Sequence, residues 1–126
     1  MSTPLDDYKK IVDDLVHAAW SPSARWVREK RRWPDGAENV RINELIDSLS
    51  DEKREVLARI LEGAVQGGIH KVLAYLTDEM NLAGLRITKH GREIPVEPYG
   101  TEMYYDWVCR LNGDEWPDLP AASDKD

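Results

Sequence analysis

Between Ser50 and Met80 the apolar positions recur as adjacent pairs at a step of four: Val56/Leu57, Ile60/Leu61, Ala64/Val65, then Ile69, Val72/Leu73, Leu76 and Met80. Only a helix gathers such positions on one side. Each step of four turns the stripe by about 40°, so over this length it travels far round the axis. Two arrangements satisfy that drift: one helix covered on several sides, or two helices with narrower stripes. Gly63, Gly67 and Gly68 lie mid-run, and adjacent glycines are weak helix formers. The pattern therefore predicts two helices, about 51–66 and 68–80, bent near Gly67. Ser50 suits the N-cap, and Asp51 and Glu52 suit the positive end of the helix dipole.

Upstream, Thr3, Pro4 and Asp6 read as a cap, a first helical position and an acid that can reach back to the cap. Leu5, Tyr8, Val12, Leu15 and Ala19 then make a seam, widened by Ile11 and Val16, that predicts a helix to about Trp20; Asp6, Asp7, Lys9, Lys10, Asp13 and Asp14 fall off it. Ser21-Pro22-Ser23 ends that helix and caps a short, half-exposed one whose apolar residues are Trp26, Val27 and Trp33. Pro34-Asp35-Gly36 signals a turn. Val40 to Leu49 reads as a further helix with Ile42, Leu45, Ile46 and Leu49 inward.

After Asn81–Gly84 the period changes from helical to alternating. A two-residue turn at His90-Gly91 pairs Lys89 with Arg92, Thr88 with Glu93, Ile87 with Ile94 and Leu85 with Val96, which places both apolar pairs on one face of a hairpin. Pro95 lacks a ladder donor, so its strand is expected at an edge or with that position facing solvent. Thr101 is the expected cap of a last helix, ended by Asn112-Gly113, with Met103, Tyr104, Trp107, Val108 and Leu111 as its stripe. Trp116-Pro117 is expected to fold back as an anchor, and Ala121 to Asp126 to form a disordered acidic tail. The expected fold is thus mainly α: a compact bundle of about five helices with one β-hairpin before the C-terminal helix, in a single domain over residues 1–120.

Composition narrows the class. At 126 residues, with 33% charged and 41% hydrophobic positions, the chain suits one globular core. It contains no apolar run of 18 residues, its N-terminus lacks the basic start and apolar stretch of a signal peptide, and its one cysteine, Cys109, cannot form an internal disulfide. A cytoplasmic location without membrane contact is expected.

The net charge of −7 is unevenly spread. Residues 21–33 carry Arg25, Arg28, Lys30, Arg31 and Arg32 against Glu29, a net +4, while residues 93–126 carry nine acids against Arg110 and Lys125, a net −7. The segment RWVREKRRW interleaves arginine with tryptophan, a composition that stacks on bases and pairs with phosphates. An acidic whole argues against nucleic acid as the general partner. The plainer reading is a solvated helix whose tryptophans pack inward and whose cations meet the acidic C-terminal part. Arg and Trp also dominate protein interfaces.

Catalytic signals are sparse. Asp13 and His17 share a helix face, and His70 could join them as a third metal ligand if the helices pack together, although a surface ion pair explains the first two equally well. Glu52 and Glu55 have the ExxE spacing of the all-α nucleotide pyrophosphohydrolases, but the second acidic pair of that motif is missing: Tyr75 precedes Asp78 and Leu76 precedes Glu79 at that spacing. Cys109 lies beside Arg110, which can lower a thiol's pKa, but no base is identifiable for it. No phosphate-binding glycine loop, GxSxG or CxxC occurs, and no cofactor is expected. The block YGTEMYYDWVCRLNGDEWP is similar to the ends of small bacterial proteins of unassigned function; its aromatics Tyr99, Tyr104, Tyr105 and Trp107 exceed what a small core needs and lie beside Glu102, Asp106, Asp114 and Glu115.

The expectation is a small interaction or regulatory protein without catalytic activity, working on a protein partner or as a homodimer. Its contact surface would draw on Trp26, Arg28, Arg31, Arg32 and Trp33, or on the C-terminal aromatics Tyr105 and Trp116. The alternatives are a metal-dependent or small-molecule-binding enzyme between the first and central helices, using Asp13, His17, His70 and Tyr75 or Glu79, and a weak single-stranded nucleic-acid binder through residues 25–33.

Overall fold

Capping fixes where the chain turns helical. Thr3 accepts the Asp6 amide at 3.1 Å while the Asp6 carboxylate accepts the Thr3 amide at 3.0 Å, a reciprocal cap that starts α1 (Pro4–Ala18). Ser21 accepts the Ala24 amide at 3.3 Å and opens α2 (Pro22–Arg28). The Ser50 hydroxyl accepts the Lys53 amide at 3.2 Å at the start of α4 (Asp51–Leu82). Between these lies α3 (Ala37–Ser48), and the chain continues through β1 (Thr88–Lys89), β2 (Arg92–Glu93) and α5 (Met103–Leu111). The structure, a computed structural model, describes residues 2–29 and 32–119. The expected acidic tail therefore lies outside the described residues. The mainly helical class with a hairpin before the last helix agrees with the sequence reading.

Residue contacts fall into two units, one built from the segments up to Ala18 and from Ile69 onward, the other from Ala19 to Gly68. In the second, Ala24, Val27, Ile46 and Ala58 form a buried cluster against which Trp33, Ile42, Leu57 and Leu61 pack. Asn43, itself buried, grips the loop before α3 from both sides: its Oδ1 accepts the Trp33 amide at 2.8 Å and its Nδ2 donates to the Trp33 carbonyl at 3.2 Å. This grip lets α3 begin three residues before the expected start. Leu45, expected inward, is 51% exposed, because Asn43 and Ile46 take the inner face instead.

In the other unit α1 packs on α5 over buried Tyr8, Val12, Met103 and Trp107, with Leu73, Met80 and Ile94 also buried. The hairpin has the expected register, Thr88 opposite Glu93 and Lys89 opposite Arg92, and the Ile94 amide extends it by donating to the Ile87 carbonyl at 2.9 Å. His90 and Gly91 both carry positive φ, 55° and 75°, as a two-residue turn of this hand requires.

Other expectations fail. The run from 51 to 82 is one helix, not two. It buries Arg54 and Ala58 in one unit and Leu73, Thr77 and Met80 in the other, while Val56, Ile60 and Val72 of the expected stripe stay exposed. Thr101 does not cap α5: Glu102 occupies that position without a side-chain cap, and the Thr101 hydroxyl donates to Asp106 Oδ1 at 2.5 Å instead. Asp7, placed off the seam of α1, is also buried.

Candidate functional site

The last turn of α5 decides where the site forms. Gly113, at φ 91°, lets the Asp114 amide donate back to the Cys109 carbonyl and its own amide donate to Arg110, both at 3.0 Å. This left-handed cap reverses the chain and brings Trp116 against α1, where its indole Nε1 donates to Asp13 Oδ2 at 3.2 Å. The Trp116 ring lies near-parallel to Tyr99, centroids 5.5 Å apart at 23°, and tilts against Tyr8 at 6.1 Å. The Arg110 guanidinium lies over the same ring at 5.0 Å, a cation–π contact. The expected anchoring role of Trp116 is realised.

The returning segment walls a cleft of about 250 Å³, lined by Tyr99, Thr101, Tyr105, Asp106, Cys109, Arg110, Asp114, Glu115, Trp116 and Pro117. Its lining carries three carboxylates against one arginine. That arginine is committed elsewhere: Arg110 forks onto Asp13, Nε to Oδ1 at 2.8 Å and a terminal nitrogen to Oδ2 at 3.2 Å, and its other terminal nitrogen donates to the Asp114 carbonyl at 2.9 Å. Asp13 holds the guanidinium above its ordinary pKa.

Beneath the cleft Asp106 is buried, and both its oxygens accept hydroxyls: Tyr8 Oη at 2.5 Å and Thr101 Oγ1 at 2.5 Å. Burial, then the bond to Asp106, pushes the Tyr8 phenol well above its usual range, so Tyr8 stays a donor. At the rim, the Cys109 sulfur beside Tyr105 raises that phenol too. The Tyr99 hydroxyl is buried with no hydrogen-bond partner among the described residues. Sequence reasoning missed Tyr8, Thr101 and Asp106 as a group. The available signal was the position of Asp106, three residues after Met103 and next to Trp107, on the buried side of a short helix.

The other expected site residues are dispersed. Arg28 is forked by Glu55, at 2.8 and 3.1 Å, and also pairs with Glu62; Glu55 is the leading cause of its raised pKa. Arg32 pairs with Asp47 at 3.0 Å between two exposed side chains, and Trp26 meets Trp33 edge to face at 5.0 Å. The tryptophans thus pack on each other, and Arg28 and Arg32 meet acids of α3 and α4 where the C-terminal acids had been expected. Arg31 lies outside the described residues. Asp13 serves Arg110 and Trp116, His17 is exposed, and His70 sits edge to face on Tyr104 at 5.2 Å. Among the described residues no group of three His, Cys, Asp or Glu side chains is placed to hold a metal ion. Tyr75 and Glu79 line a shallow, open depression with Asp78, Leu82 and Ala83 on the last turns of α4. No helix among the described residues is long and apolar enough to cross a membrane.

No match is found among curated proteins or among solved structures. A family model matches residues 1–118, nearly the whole chain, and the chain therefore belongs to the family described as Family of unknown function (DUF6547).

Proposed function

We propose that this is a protein-binding module that receives a single basic side chain of a partner in the cleft beside α5. The observation that carries this reading is the lining: Asp106, Asp114 and Glu115 with Tyr105 and Tyr99, where the one cation, Arg110, is already neutralised by Asp13. An aromatic wall beside the exposed carboxylates of Asp114 and Glu115 favours a guanidinium or ammonium group through its stem and its charge together. Size supports a side chain over a whole small ligand. The volume of about 250 Å³ lies below the roughly 300–1,000 Å³ usual for pockets of drug-sized ligands. In this reading Tyr105 and Trp116 belong to the contact surface, while Arg28 and Arg32 of the basic segment are engaged by Glu55, Glu62 and Asp47.

The test is selection from a random peptide library by the wild-type protein and by an Asp114→Lys, Glu115→Lys variant. Both positions are exposed, so the fold tolerates the change. The reading predicts enrichment of one arginine or lysine position by the wild type and its loss in the variant. Enrichment of acidic or apolar peptides, or basic enrichment that survives the double reversal, contradicts it.

A further inference from the structure

One face of α4 is left uncovered among the described residues. Val56, Ile60 and Tyr75 are 54%, 61% and 62% exposed, and they are spaced so that one side of the helix carries all three. Lone exposed apolar residues are ordinary, but a row of them along one helix face is not. Between them Ala64 is exposed, and at Gly67 an added Cβ would meet nothing within 4 Å. The charged residues of the same face are Lys53, Lys71 and Asp78, all exposed.

The order of these residues has a symmetry of its own. About the point between Val65 and Gln66, Lys53 mirrors Asp78, Val56 mirrors Tyr75, Ile60 mirrors Lys71 and Ala64 mirrors Gly67. An isologous contact needs such a self-complementary face, because each residue i that meets j is matched by j meeting i. We infer that α4 docks antiparallel on α4 of a second copy of this chain. At the ends Lys53 of one copy then faces Asp78 of the other, twice over. Inside those pairs Val56 covers Tyr75, and Ile60 lies along the aliphatic stem of Lys71. At the crossing Ala64 meets Gly67, small residues that let two backbones approach closely. The antiparallel sense also opposes the two helix dipoles. A foreign partner would have no reason to respect the mirror; a second copy must.

The experiment is sedimentation equilibrium of the full chain at several concentrations, repeated for Lys53→Asp, for Asp78→Lys and for the double variant, with circular dichroism as a check on folding. The wild type is expected to dimerise. Each single reversal places like charges at both ends and raises the dimer dissociation constant about tenfold or more; the double variant restores it to near the wild-type value. A wild type that stays monomeric at every concentration overturns the inference and leaves the face to some other occupant. A dimer unmoved by the single reversals overturns it as well, since the contact then lies elsewhere. Recovery in the double variant is a result that a merely structural role for either residue does not produce.

Discussion

Among the described residues Asp106 takes two hydroxyl donors and no cation, so each donor matters more than an ordinary surface hydrogen bond does. A buried group that loses one partner keeps its desolvation cost. Tyr8→Phe or Thr101→Val should each lower unfolding free energy by about 1.5–3 kcal/mol, and the double variant should depart from additivity because the two share an acceptor; urea denaturation measures both. Asp7 behaves differently. Burial alone would raise its carboxyl, but hydrogen bonds from His90, whose Nδ1 lies 3.3 Å away, and from Ser2, with the charges of His90 and Lys89, hold it below the usual value of 3.8. The folded value is below the unfolded one, so this contribution is fully present above the unfolded value and is lost as pH falls through the folded one. Thermal melts between pH 7 and pH 2 should show Asp7→Asn less stable than wild type near neutrality and the gap closing in acid. Neither carboxylate was legible beforehand. Periodicity sorts residues by polarity, and an acid beside an apolar seam reads as solvated until its distant donors, 98 residues away for Asp106 and 83 for Asp7, are in place.

Elements fixed by local chemistry were legible, and those decided by burial were not. The reciprocal Thr3–Asp6 cap, the Ser50 cap and the hairpin register all follow from residues within a few positions of one another. The continuity of α4 did not. A helical glycine costs about 1 kcal/mol against alanine, too little to break an element whose two halves are each packed in a core. The same reasoning assigns opposite signs to one substitution at two glycines. At Gly68 a Cβ meets nothing within 4 Å in helical backbone, so Gly68→Ala should stabilise by about 0.5–1 kcal/mol. Gly91 stands at φ +75°, where Gly91→Ala should destabilise by about 1–2 kcal/mol. Chemical denaturation of the two variants side by side checks the contrast.

For the molecule as a whole, the charge polarity visible in the sequence is real but its meaning changes on folding. Arg28 and Arg32 of the basic segment are engaged by Glu55, Glu62 and Asp47, whereas the acids near the C-terminus have Arg110 as the one cation lining their cleft, and Asp13 holds it. That contrast, between two engaged arginines in one segment and a cleft lined mostly by acids, is what the proposed reading rests on at this scale. The most direct measurement is a nitrogen–proton correlation titration with N-acetyl-arginine methylamide, and with N-acetyl-glutamate methylamide as the control. The account predicts saturable shifts of the Trp116 indole and of the Tyr105, Cys109 and Glu115 amides with the arginine probe alone, abolished by Glu115→Lys. Shifts that are absent from the cleft, that map to the segment around Trp26 and Trp33, or that appear equally with the glutamate probe would contradict it.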